Sequence, residues 1–235
     1  MNANIQLSHL NASLAAKDGD IARLATHARE IRRLAVAAIY HATSGHPGGS
    51  LSCADILAVL YGSELGIEAA GATSPDRNRF VMSKGHAAPA LYATWASFGL
   101  MDSKTALSLR KLGSIAQGHP HVLDAPLAET STGSLGQGFS AAIGMALGLR
   151  HQRKTARVYA LLGDGELQEG EVWEGAMCAA HHRLSNPRSK SFRTSCWRTR
   201  LPSIARRSTR SKSYTRSTFG TRRGSRTRRL WSRSS

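Results

Sequence analysis

Ala156-Arg157-Val158-Tyr159-Ala160-Leu161-Leu162-Gly163-Asp164-Gly165-Glu166-Leu167-Gln168-Glu169-Gly170 runs a short apolar segment straight into a glycine turn that carries carboxylates. Seven residues rich in β-branched, aromatic and aliphatic types, closed by a glycine, read as a buried strand. The residues after the turn, 169–184, read as a helix. A second strand-like run, Arg79-Phe80-Val81-Met82, also enters a glycine-containing turn, Ser83-Lys84-Gly85. Between and around these runs the periodicity predicts helices at 53–61, 87–98, 103–112 and 135–149. Strands alternating with helices of this length imply an α/β fold, a parallel sheet with helices on both faces. Ligands in such sheets bind beyond the carboxyl ends of the strands, where Gly163 sits.

Upstream, Ile21, Leu24, Ala25, Ala28, Ile31, Leu34, Ala35, Ala38 and Ile39 recur at three- and four-residue steps after the candidate caps Asp18 and Asp20. This predicts an amphipathic helix that ends near Ser44-Gly45, because Pro47 and its flanking glycines cannot continue it.

The formal net charge is +17 over 235 residues, and it is unevenly placed. Residues 1–186 hold 16 Lys+Arg against 15 Asp+Glu, whereas residues 187–235 hold 16 Lys+Arg and no acid. The division expected is a lead-in at 1–19, one α/β domain at 20–186 and an Arg/Ser-rich tail at 187–235. After the helix at 169–184 a parallel sheet calls for another near-continuous Val/Ile/Leu strand. The chain supplies Pro187-Arg188-Ser189-Lys190-Ser191-Phe192-Arg193 instead, with no Val beyond Asn186. Such a segment buries too little apolar surface to offset its ordering entropy, so the expectation is a missing strand and a disordered basic tail. The first residues lack the pattern of a secretory signal, and 138–149 is too short to span a bilayer. A cytoplasmic protein with no membrane contact is expected, and the unpaired cysteines Cys53, Cys178 and Cys196 fit a reducing compartment.

Three loops place histidine directly after glycine: Gly45-His46-Pro47-Gly48-Gly49, Gly85-His86-Ala87 and Gly118-His119-Pro120-His121. Glycine lets a ligand approach the backbone, and imidazole moves protons near neutral pH. Taken singly, each histidine reads first as a solvated turn residue or a helix cap. No HExxH or paired-cysteine spacing points to zinc. Thr130-Ser131-Thr132-Gly133-Ser134-Leu135-Gly136-Gln137-Gly138 opens a small-residue helix whose free N–H groups suit an anion, or else a tight packing contact. Asp164, at a strand's end, suits Mg²⁺ or Ca²⁺ beside a diphosphate, although an Asp-Gly pair by itself also makes an ordinary turn.

Together, Ser44-Gly45-His46-Pro47-Gly48, Ser83-Lys84-Gly85-His86-Ala87, Gly118-His119-Pro120, Thr132-Gly133-Ser134-Leu135-Gly136-Gln137-Gly138 and Gly163-Asp164-Gly165-Glu166-Leu167-Gln168-Glu169-Gly170 resemble, in order and spacing, the amino-terminal, thiamine diphosphate-binding domain of transketolases. The resemblance covers about residues 20–186 and is greatest to the amino-terminal subunit of those transketolases that are encoded in two pieces. It implies a thiamine-diphosphate-binding fold and transfer of a two-carbon ketol unit between sugar phosphates. It also implies thiamine diphosphate with Mg²⁺ (or Ca²⁺ or Mn²⁺) as cofactors. By this resemblance His46, His86 and His119 are the catalytic histidines, and His86, His119, Gly133, Leu135, Gly163, Asp164, Gly165 and Glu169 lie along the cofactor or its supporting network. By the same resemblance Asp164 would be the metal ligand. His46 and His119 would face the substrate, and Glu169 would join active sites across a dimer interface. The family's next metal ligands, an Asn and a carbonyl, fall by count on Thr194 and Cys196, inside the tail. The activating glutamate belongs to a pyrimidine-binding domain carried by a carboxy-terminal subunit, so a dimer or heterotetramer is implied.

Three readings of the tail follow. In the first, residues after Asn186 are an out-of-frame or otherwise aberrant continuation, leaving a truncated chain inactive by itself. In the second, Arg/Ser-rich residues bind nucleic acid or anionic surfaces nonspecifically, on an enzyme-like scaffold. In the third, the body is a working subunit completed by its carboxy-terminal partner.

Overall fold

The computed structural model describes the backbone at residues 3–67, 71, 74–184 and 192–195, with side chains from residue 20 to 184 within those bounds. Three short parallel strands form the sheet in the order β1-β2-β3, where β1 is Arg79–Met82, β2 is Val158–Leu161 and β3 is Phe192–Ser195. In register, Arg79 lies opposite Val158 and Met82 opposite Leu161. Side chains alternate across the sheet, and both faces are covered. Phe80, Met82, Tyr159 and Leu161 join one core with α1 (Ala3–Ala42), α3 (Ala54–Val59) and α4 (Ala88–Ser97). Val81, Val158, Ala160 and Leu162 join the other, with α6 (Gln137–His151) and α7 (Gly170–His181). The two-faced parallel sheet expected from the sequence is the fold observed.

Three boundaries differ, each for a local reason. The helix expected from Ile21 begins at Ala3. Leu7, Leu10 and Leu14 carry the same three- and four-residue step upstream, so Asp18 and Asp20 do not cap it. The helix expected at 103–112 is only α5, Ser103–Leu107. Ser108 turns its hydroxyl back to the Thr105 carbonyl at 2.7 Å, and Arg110 and Gly113 take positive φ. The helix expected from residue 135 starts at Gln137, because Gly136 has φ +90°. The short helix α2 (Pro47–Leu51) precedes α3, which runs on through a π turn at Leu60–Glu64.

The expectation of a missing third strand is corrected by β3, which lies parallel to β2 with Val158 opposite Phe192 and Leu161 opposite Ser195. A ladder is built from backbone N–H and C=O groups, so a segment without Val, Ile or Leu can still pair. Thr194, counted as the family's Asn position, lies opposite Ala160 within the strand. Cys196 and the remaining tail, including its expected disorder and both tail-based readings, lie outside the described residues. None of the described helices is long and apolar enough to cross a membrane.

Candidate cofactor site

The carboxyl ends of β1 and β2 open into the glycine loops that the sequence singles out. β1 passes through Ser83 and Lys84 into a 3₁₀ turn at Gly85–Ala87, which aims His86 past the strand end before α4 begins. β2 passes through Leu162 and Gly163 into a second 3₁₀ turn at Gly165–Gln168, leaving Asp164 and Gly165 exposed. Two further loops, at 118–121 and 130–136, lie against these ends.

Close glycine packing makes the arrangement possible. A Cβ on Gly85 would lie 2.7 Å from the Thr132 carbonyl carbon and 2.8 Å from the Gly133 nitrogen. One on Gly138 would lie 2.7 Å from Ser83 Cα, and one on Gly133 would lie 3.2 Å from the His119 ring. The loop at 130–136 is thereby pressed onto the end of β1, with no room for a side chain between them. On the other side a Cβ on Gly49 would stand 3.2 Å from His86 Nε2, and the His46 and His86 rings meet edge to face at 5.3 Å. Lys84, 5% exposed, donates from Nζ to the Gly49 carbonyl at 2.9 Å and ties the His46 loop to the strand end. Arg110 donates to Ser44 Oγ at 3.0 Å and packs its guanidinium over Gly118, next to His119.

Two of these imidazoles bind a proton less readily than a free histidine. The His86 pKa falls below its ordinary 6.5 through burial first, then through the positive fields of His46 and Lys84. Glu166 opposes this shift and His119 adds slightly to it. His119 falls below 6.5 through burial, then Arg110 and His46. Burial likewise pushes the Cys53 thiol up despite the charge of Lys84, which leaves it a poor nucleophile. Because both histidines bind a proton less readily folded than unfolded, stability is complete above pH 6.5 and is lost as pH falls through that value toward their folded pKa. Thermal unfolding at about pH 7.5, 6.5 and 5.5 is expected to show a midpoint that drops with acidity. The drop should be smaller in a His86→Gln/His119→Gln double variant; an equal drop would contradict the assignment.

Most of the residues expected from the sequence come together. His46, His86, His119 and Gly133 form one cluster, with Gly163, Asp164 and Gly165 at the end of the neighbouring strand. Glu169 caps the start of α7 with extended backbone and stays exposed. Among the described residues, no group of three or more His, Cys, Asp and Glu side chains is placed to hold a metal ion. Sequence reasoning missed Lys84 and Arg110, which hold the histidine loops, and Glu166, which is buried beneath Gly163. The turn also carries Asp164 and Glu169, so nothing in the sequence sets Glu166 apart from them, and nothing marks Arg110.

The family model that matches is that of Transketolase, thiamine diphosphate binding domain, over residues 24–187. Human transketolase is 44% identical over 160 residues, covering 68% of this chain and 26% of that protein. One of the subunits of the apulose-4-phosphate transketolase of Phocaeicola vulgatus is 38% identical over 155 residues, covering 66% of this chain and 55% of that polypeptide. The 6-deoxy-6-sulfo-D-fructose transketolase subunit SqwG of a Clostridium species is 40% identical over 159 residues, covering 68% and 58%. Among solved structures, the transketolase of Leishmania mexicana superposes with a TM-score of 0.67 at 30% identity, covering 74% of this chain and 27% of that one. The matched part thus spans about a quarter of the full-length relatives and little more than half of the subunit relatives.

Proposed function

The chain belongs to the transketolase family through its thiamine diphosphate-binding domain, and from that premise we propose that it binds thiamine diphosphate and a divalent cation and serves two-carbon ketol transfer between sugar phosphates. The observation that carries this reading is the convergence of the histidine loops, the 130–136 loop and the Asp164 turn on adjoining parallel strand ends.

The local chemistry fits the cofactor. The Thr132 hydroxyl oxygen is buried without a hydrogen-bond partner among the described residues, beside the Gly85 backbone, and so has a donor and an acceptor to offer a ligand. An added Cβ at Gly165 would meet nothing within 4 Å, which leaves its backbone open to a diphosphate. Asp164 supplies the oxygen donor that Mg²⁺ prefers, and phosphate oxygens of the cofactor would complete the shell. When bound, thiamine diphosphate supplies the carbanion that accepts and returns the two-carbon unit.

The chain's own residues bind, orient and move protons. His86 and His119, both with proton affinity lowered from the ordinary value, each have in the neutral form one ring nitrogen able to accept a proton and another able to donate. His46, at 5.3 Å from His86, joins them at the same mouth, where a sugar's hydroxyl and carbonyl oxygens need proton transfer. Lys84 holds the His46 loop in place, and Glu169 stands exposed at the start of α7, where a neighbouring subunit would reach it. The subunit relatives, named as subunits of transketolases, favour a separately encoded carboxy-terminal partner that carries the pyrimidine-binding domain.

Titrating thiamine diphosphate with MgCl₂ into the full chain, alone and with such a carboxy-terminal subunit, tests the reading. Binding is expected in both cases and to be tighter in the complex, with ketol transfer from a ketose phosphate to an aldose phosphate only when both chains are present. Absence of binding in the complex would sink it.

A further inference from the structure

Glu166 is 1% exposed, and its carboxylate takes hydrogen bonds from three separate segments. Oε1 accepts from Ser83 Oγ at the end of β1 and from the Gly136 N–H at 3.0 Å. Oε2 accepts from the Gly163 N–H at 2.9 Å. All three partners are donors, and none of the ion pairs among the described residues includes Glu166.

A carboxylate withdrawn from water is unfavourable unless its lone pairs are used, and a turn that needed only to be filled would be better served by an apolar side chain. The three donors belong to the segments that build the site. Ser83 leads into Lys84-Gly85-His86, Gly136 closes the loop pressed onto β1 and starts α6, and Gly163 precedes Asp164. Gly136 depends on this contact in a second way. Its φ of +90° aligns its N–H with the carboxylate, and a Cβ there would stand 3.2 Å from Glu171 Cβ.

We infer that Glu166 is a positioning residue: one buried acceptor that fixes the His86 loop, the 130–136 loop and the Asp164 turn relative to one another, so that the cofactor meets a preformed site. This rests on the thiamine diphosphate reading but names a residue and a role outside it. Removing the acceptor frees three segments that share no other single hydrogen-bonding partner among the described residues. The effect should therefore appear at Gly136 and Gly163 together rather than along the chain.

The test uses the full chain as wild type, Glu166→Met, Glu166→Gln and Ser83→Ala. Amide hydrogen exchange is read by NMR without ligand, and thiamine diphosphate with MgCl₂ is titrated by calorimetry. In Glu166→Met the Gly136 and Gly163 amides should exchange about tenfold faster or more, and the dissociation constant should rise about tenfold, as expected for loss of a buried acceptor. Glu166→Gln, which keeps one acceptor oxygen, should recover part of both effects. Amides of α4 should keep their wild-type exchange. If only Gly163 accelerates, Glu166 merely caps its own turn; if α4 accelerates equally, it merely supports the fold; either result overturns the proposal. Should Glu166→Met not fold, Glu166→Gln and Ser83→Ala decide the same two amides. Should the wild type bind no thiamine diphosphate, the functional reading falls, while the exchange measurements still decide the role of Glu166.

Discussion

Replacing Gly85 by alanine is expected to lower the midpoint of thermal unfolding by roughly 5–10 °C and to abolish measurable thiamine diphosphate binding. The added methyl would sit 2.7 Å from two Thr132 atoms and 2.8 Å from the Gly133 nitrogen. Two of these three atoms are backbone, so no side-chain rotation relieves the clash; the 130–136 loop has to move off the end of β1. Overpacking of this kind costs about 1–3 kcal/mol, and an unyielding backbone places it at the upper end. The movement carries Thr132 and Gly133 away from His86 and His119, so binding suffers more than stability does. Gly48→Ala is the matched control. Its Cβ would meet nothing within 4 Å, and its position in α2 accepts alanine. Melting curves and calorimetry on the two variants check the claim, and similar behaviour of both would refute it.

Asp164→Ala is expected to do the opposite: little change in the stability of the free chain, and loss of at least about a hundredfold in metal-dependent affinity for thiamine diphosphate. Asp164 is exposed at the end of β2, so its removal leaves no buried group unpaired. It is also the carboxylate to which the metal role is assigned, and the described residues hold no group of three or more His, Cys, Asp and Glu side chains that could replace it. A ligand present at about a hundred times its dissociation constant stabilises the folded state by about 2.7 kcal/mol. The wild type should therefore melt higher with thiamine diphosphate and MgCl₂ than without. The variant should show no such increase, and a full ligand-induced shift in Asp164→Ala would remove the metal role assigned to it.

The fold was largely legible because its signals are local. Phe80 to Met82 and Val158 to Leu162 are apolar on both faces, which only a sheet covered on both sides can bury. The histidine loops were legible for a similar reason, since glycine beside histidine marks a place where backbone and ligand come close. What escaped was each feature whose energy lies elsewhere in the chain. β3 pairs through main-chain groups, so the polar composition of Phe192-Arg193-Thr194-Ser195 concealed it. The early stop of α5 follows from a serine turn and a positive φ at Arg110 that periodicity does not encode.

The sequence alone determined the element types, the two-faced sheet and the set of loops in which function resides. Strand propensity, helical period and glycine positions are properties of neighbouring residues, and they survive without knowledge of the rest. Tertiary structure decided which loops meet, and at what distance. It placed Thr132 against Gly85, Lys84 under Gly49 and the Glu166 carboxylate among Ser83, Gly136 and Gly163. Such contacts span up to 83 residues of chain. Packing and hydrogen bonding act through space, so only the folded chain could reveal that a turn glutamate, read as part of a motif, is the point at which three loops are joined.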